Sequence, residues 1–224
     1  MTRSVMVWGT SSGAGKRWLT TALCRWAARH GVVVRPFKAQ NMSNNARVVA
    51  GLDGAMGEIG SAQYFQALAA RVEPTVDMNP VLLKPETDTA SQVVVHDRAN
   101  PELSRMRWRD RSALLAQAAR ASFERLAAES DLVVIEGAGS PAEINLAPND
   151  YVNLGAARWA RELGELACLL VTNIDLGGAF AHVYGTWALL PDDLRSSLHG
   201  YGSDHPACVP GLGQYQGSLS IHGQ

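Results

Sequence analysis

The sequence has no run of 18 apolar residues, no excess of charge of one sign and no close pair of cysteines. The first absence removes any candidate for a membrane-spanning helix. The second, 20 basic against 21 acidic residues for a formal charge of -1, removes the basic field that a nucleic-acid binder needs. The third concerns Cys24, Cys168 and Cys208, which are odd in number, far apart and outside any C-x-x-C spacing. Neither a disulfide framework nor a zinc site is expected of them, and they read as reduced, mostly buried thiols. "MTRS" passes directly into "VMVW" without the long apolar stretch of a signal peptide. The expectation is a soluble, cytoplasmic protein with no nucleic-acid and no membrane partner.

Histidine and serine chemistry is equally thin. The six histidines are dispersed without H-x-x-x-H or Cys/His ligand spacing, and no G-x-S-x-G nucleophile turn occurs. His182, inside "GGAFAHV", reads as packed or hydrogen-bonded rather than metal-bound.

What is present suits one α/β domain, or one domain with an appendage: 224 residues, 46% of them hydrophobic. Val5 to Trp8 is a short apolar strand, and Trp18 to His30 has helical spacing of Leu19, Leu23 and Trp26 with Gly31 as a stop. "VVVRPF" is a second strand leading into a polar loop, "KAQNMSNN". Residues 57–71 are predicted to be helical, and Pro74, Pro80 and Pro85 punctuate an extended segment after them. "SQVVVH" reads as a strand and the stretch from Arg111 to Glu129 as a helix. "DLVVIEGAGS" and "LACLLVTNID" are continuously apolar, as parallel strands covered on both faces are. The fold class that follows is α/β, a doubly wound, mostly parallel sheet with ligand loops at the carboxyl ends of its strands. From about Ser196 the sequence is rich in Gly, Ser and Pro, so residues 1–195 are expected to form the domain and 196–224 a poorly packed tail without strand or amphipathic helix.

"VWGTSSGAGKRWL" joins the first strand to the first helix through small residues. Such a loop lets backbone N–H groups converge on phosphate oxygens at a helix N-terminus, which carries a partial positive charge. Gly9, Thr10, Ser11, Ser12, Gly13, Ala14 and Gly15 form that loop, and Lys16 reaches the terminal phosphates. Either Gly9 stands one residue early for the usual first glycine, or Thr10 occupies its place; a plain tight turn is the alternative reading. Arg17 stands where a phosphate loop has the Ser or Thr that ligates Mg²⁺. A guanidinium aimed at the dication would repel it, whereas one swung to solvent or onto a phosphate would cost a single ligand that water replaces. Glu136 ends a buried strand, where a carboxylate is costly unless it meets a cation such as phosphate-bound Mg²⁺ or simply emerges into solvent.

"PFKAQNMSNN", "GEIGSAQ", "MNPVLLKPETDTASQVVV", "EGAGSPAEINL" and "GGAFAHVYGTWALL" resemble, in order, the amino-terminal domain of the cobyric acid synthase family, over about Val5 to Leu194. That family is related to cobyrinic acid a,c-diamide synthase and to dethiobiotin synthetase. The resemblance implies a P-loop NTPase-like fold of the dethiobiotin synthetase type. It also implies ATP-dependent amidation of corrinoid side-chain carboxylates through an acyl-phosphate and glutamine-derived ammonia, with ATP and Mg²⁺ as cofactors. By that resemblance Lys16, Lys38 and Glu136 carry the chemistry, with Lys38 near the acyl-phosphate, and Glu58 joins Glu136 as a metal ligand. Gln40, Asn41, Lys84, Asp88, Ser91 and Gln92 match substrate-side motifs and would read corrinoid carboxylates and amides, although several suit turns in their own right. The implied partners are a corrinoid like adenosylcobyrinic acid a,c-diamide and a glutaminase domain or other ammonia source that this chain lacks. A homo-oligomer is left open.

The chain departs from the family at Arg17, at Asn173 and Leu176, where the family has an aspartate and an arginine, and after Leu194. The expectation for the last is that the carboxyl half was lost by truncation or a reading-frame change. Cys208, in "HPACVPGLG", does not resemble a glutaminase nucleophile. Two other functions stay open on these residues: a non-catalytic nucleotide or corrinoid binder, and a dethiobiotin synthetase-like ligase.

Overall fold

The computed structural model describes residues 2–87 and 90–203. Strand β1 (Thr2–Gly9) carries the first apolar run, and helix α1 (Lys16–Arg29) starts two residues before the predicted point, immediately after the small-residue loop. Its inward face is Lys16, Thr20, Cys24 and Ala27, spaced four, four and three apart as one side of a helix requires. Strand β2 (Val34–Phe37) is as expected. The polar loop after it contains a short strand, β3 (Gln40–Met42), that the sequence pattern did not show.

Strands β4 (Ala46–Ala50) and β5 (Met56–Gly60) form an antiparallel pair, and helix α2 (Ser61–Ala70) follows. The helix predicted over residues 57–71 is thereby corrected: its first turn is strand, because residues 56–60 find a pairing partner in β4 that local sequence cannot reveal. Strands β6 (Val81–Pro85), β7 (Ser91–Val95) and β8 (Arg98–Ala99) come next. Helix α3 (Pro101–Arg105) is capped by Asn100, whose Oδ1 accepts from Leu103 N at 2.9 Å with Pro101 in the first turn.

Helix α4 (Trp108–Ala128) buries Leu115, Ala119, Phe123 and Leu126. Strand β9 (Leu132–Glu136), helix α5 (Ala156–Leu163) and strand β10 (Gly164–Thr172) follow. Helix α6 (Ala179–Leu189), helix α7 (Asp192–Arg195) and strand β11 (Leu198–Ser203) complete the described chain. Strand β11 corrects the expectation of a tail without strand after Ser196: it adds to the main sheet in parallel with β10, with Cys168 N donating to Ser197 O at 2.7 Å. The two glycines in "LHGYGS" hid it, since they lower strand propensity without preventing main-chain pairing at a sheet edge.

The central sheet has the order β11-β10-β1-β9-β2, with every pairing parallel. Alternation along β1 and β9 divides the interior into two layers. Val7 and Val134 pack with Cys24, Ala27 and Val34 under α1. Met6, Trp8 and Ile135 pack with Phe37, Phe123, Leu126 and Trp159 on the other side. Burial pushes the Cys24 and Cys168 thiols up to about 12. A second sheet, β3-β6-β7-β8, stands beyond β2. The doubly wound expectation therefore holds, and the loops after β1, β2, β9 and β10 all emerge at the carboxyl edge, where such sheets bind ligands. Among the described residues no helix is long and apolar enough to cross a membrane.

Candidate functional site

Three of those loops enclose a cleft of about 590 Å³. Its walls include Ser12, Gly13 and Gly15 after β1, Lys38, Gln40 and Asn41 after β2, and Glu136 to Gly139 after β9. Gly15 caps α1 in the left-handed region, φ 93°, and the first turn of α1 has no acidic side chain, so its positive end is left to an outside anion. The amides of Ser12 and Gly13 have no partner among the described residues, and both residues are exposed.

Lys16 is 5% exposed, and its Nζ donates to Ser11 O and to Gly139 O, each at 2.8 Å. A Cβ on Gly9 would stand 2.7 Å from that nitrogen, so any side chain there would push the ammonium aside. Burial lowers the Lys16 pKa to about 8, the Lys38 ammonium adds to the fall, and Glu136 and Glu143 oppose it. A polyanion entering the cleft would meet buried positive charge and unpartnered N–H groups, so the residues present fit a triphosphate.

Lys38 donates to Glu136 Oε1 at 2.7 Å, and both side chains are buried. The other oxygen, Oε2, accepts from Gln66 Nε2 at 2.5 Å and Gln63 Nε2 at 3.4 Å, two α2 residues on the same helix face. Glu136 therefore meets a cation as its position demanded, but that cation is a lysine. Mg²⁺ commonly keeps several waters and takes one or two carboxylates beside phosphate oxygens. Glu136 suits that role as one carboxylate, and the described residues hold no cluster of three or more His, Cys, Asp or Glu able to bind a metal by themselves. Arg17 is exposed at the cleft edge.

The remaining sequence-predicted residues divide. Gln40 and Asn41 line the cleft; Gln40 Oε1 accepts from Tyr151 OH at 2.5 Å, and Asn41 Nδ2 donates to Gln63 Oε1 at 3.2 Å. Glu58 lies outside the cleft lining and is ion-paired with Lys84, because β5 turns it toward β6. Lys84 and Gln92 face each other across β6 and β7, as do Pro85 and Ser91, and none of these lines the cleft. Asp88 lies outside the described residues, as does Cys208. Thr10 turns from the cleft, its N donating to Val171 O at 2.9 Å and its hydroxyl bonding Thr172 Oγ1, while Ala14 is buried beneath the loop. Asn173 Oδ1 accepts from Asp175 N at 2.7 Å, and Leu176 is exposed.

Sequence reasoning passed over Gln63, Gln66, Tyr151 and Asn153. The three-residue spacing of the two glutamines inside an otherwise Ala-rich and aromatic helix was the available signal for the first pair. A π-helical turn, Tyr151–Gly155, carries the second, and nothing local announces it.

Residues 5–201 match the model of the CobQ/CobB/MinD/ParA nucleotide binding domain. The chain is 64% identical over 199 residues to cobyric acid synthase from Paracidovorax citrulli, covering 89% of this chain and 40% of that protein. It is 63% identical to the cobyric acid synthase of Leptothrix cholodnii, covering 98% of this chain and 44% of that one. The chain thus spans about two fifths of the length of the curated relatives it matches. Among solved structures, the signal recognition particle receptor FtsY from Elizabethkingia anophelis in complex with GDP gives a TM-score of 0.48 at 14% identity, covering 84% of this chain and 46% of that one. By the family model that matches most of its length, and with a phosphate-type cleft at the carboxyl edge of its sheet, this chain belongs to the CobQ/CobB/MinD/ParA nucleotide-binding domain family.

Proposed function

We propose that this chain is the nucleotide- and corrinoid-handling part of a cobyric acid synthase, amidating carboxylates of a corrinoid like adenosylcobyrinic acid a,c-diamide at the expense of ATP. The observation that carries the reading is the pair of buried lysines, Lys16 and Lys38, on one cleft with Glu136. ATP, when bound, supplies the phosphoryl group that activates a carboxylate toward ammonia. Joining a carboxylate to a phosphoryl group sets anion against anion, so the protein must neutralise charge that its substrates cannot. Lys16 and the loop amides hold the phosphates; Lys38, oriented by Glu136, offers its remaining N–H groups where the carboxylate approaches; Glu136 is the residue that would hold Mg²⁺.

Gln40 and Asn41 are assigned to the substrate side of the same cleft. Lys84, Ser91 and Gln92, on β6 and β7, remain assigned to the outer parts of a large substrate, with Asp88 beside them in sequence. The proposed unit comprises residues 1–195 together with β11. Glutamine-derived ammonia is the proposed nitrogen donor.

Titration calorimetry with Mg·ATP, followed by ATP turnover with ammonium and adenosylcobyrinic acid a,c-diamide, tests the reading. Heat on binding and corrinoid-dependent turnover are expected; a silent titration at millimolar ATP would end it. Arg17 favours a second reading, a nucleotide binder without turnover, and binding with no corrinoid-dependent hydrolysis would select it.

A further inference from the structure

We propose that Asn153 is a positioning residue for the cleft lysine: its side-chain amide fixes Ala138 on both backbone atoms and so aims the Gly139 carbonyl at Lys16 Nζ. Asn153 is 4% exposed and sits in the π-helical turn at Tyr151–Gly155, a rare geometry that recurs at functional sites. Its Oδ1 accepts from Ala138 N at 3.0 Å, and its Nδ2 donates to Ala138 O at 2.7 Å. One planar amide thus replaces the neighbouring strand that β9 loses where it ends at Glu136.

The turn itself is held from below. Asp150 Oδ1 accepts from Val152 N at 3.0 Å and Asn153 N at 2.8 Å, and its Oδ2 accepts from Asn153 Nδ2 at 3.2 Å. Burial raises the Asp150 pKa, and these bonds oppose the rise. The chain approaches so closely here that a Cβ on Gly137 would lie 2.4 Å from Asn153 Oδ1. One residue past the clamp, Gly139 O accepts a hydrogen bond from the Lys16 ammonium. The same turn reaches the opposite wall through Tyr151 and Gln40.

The consequence is that Lys16 owes its low exposure partly to a residue outside the cleft lining. Releasing Ala138 frees the Gly139 carbonyl and lets water reach the ammonium, which then faces Lys38, Glu136 and Glu143 through solvent rather than across a dry cleft. Its proton should therefore be held to higher pH than in the intact protein.

The test is trace acetylation of the nucleotide-free protein across a pH series, read at the Lys16 peptide by mass spectrometry. In the parent protein the midpoint is expected at about 8. Asn153→Ala should move it upward, and Gly137→Ala, which displaces the amide without changing it, should do the same. ATP affinity at neutral pH should fall about three- to tenfold in each, the worth of a hydrogen bond. Either variant folding with an unmoved Lys16 midpoint would overturn the assignment. Loss of the fold also raises the midpoint, toward the ordinary 10.5, so a shift counts only in a variant shown to fold, and if both fail to fold, Asn153→Asp, which keeps the acceptor and loses the donor, decides by the same reading. The ATP readout rests on the proposed function; a shifted midpoint with no ATP binding in any form would keep the positioning role and remove the nucleotide.

Discussion

Lys38 Nζ lies 2.7 Å from Glu136 Oε1, in a setting where two α2 glutamines hold the other carboxylate oxygen. The pair closes the inner end of the cleft, so its energetics and its chemistry are tied together. Lys38→Met would strand a buried carboxylate, at a cost of about 3–5 kcal/mol. Lys38→Met combined with Glu136→Gln should recover much of that loss. Urea unfolding at pH 7 measures both; a single-variant cost below about 1 kcal/mol, the worth of an exposed pair, would contradict the burial.

Lys16 predicts opposite pH trends for binding and for stability. Its ordinary value of 10.5 falls to about 8 in the folded chain, so between those values the unfolded chain holds a proton that the fold has released. Stability from this group therefore rises with pH through that window. Phosphate affinity falls over the same window as the ammonium is lost. Calorimetry near pH 8 in buffers of different ionisation enthalpy should show proton uptake when ATP binds, and none near pH 6.

Gly9→Ala places a methyl 2.7 Å from the ammonium nitrogen, which must then move. The expected result is at least about tenfold weaker ATP binding, equal to about 1.4 kcal/mol. Calorimetry checks it, and unchanged affinity would show that Lys16 reaches phosphate from another position.

Arg17→Ser should restore a metal-side hydroxyl and remove a cation from the cleft edge. Mg·ATP binding is expected to strengthen relative to metal-free ATP, and the ratio of the two affinities is the quantity to measure. An unchanged ratio would mean that the guanidinium already lies clear of the metal position.

How far the sequence could be read depended on how far apart the interacting residues lie in the chain. The places of the loop after β1 and of Glu136 were legible because an apolar run marks where each strand ends, and a parallel sheet gathers strand ends on one edge, whereas Lys38 was singled out by the family resemblance alone. Glu58 was assigned by motif alone, and its partner Lys84 follows from where β5 faces β6, which no local pattern states. The start of α2 was misplaced for the same reason: residues 56–60 are strand only because β4 pairs with them. Gln66 and Asn153 were missed because a buried amide resembles an ordinary surface amide until its partner, 70 or 15 residues away, is in place. Strand β11 escaped because main-chain pairing to β10 leaves little trace in side-chain composition.

Cys24 and Cys168 give the domain a built-in stopwatch. With the thiols pushed up to about 12, almost no reactive thiolate is present at neutral pH while the interior stays shut. Alkylation followed at those two peptides will therefore count openings of the two layers, α1 side and sheet, rather than collisions at the surface. Any ligand that seats in the cleft should slow the Cys24 clock, since that sulfur rides on the helix whose first residue is Lys16.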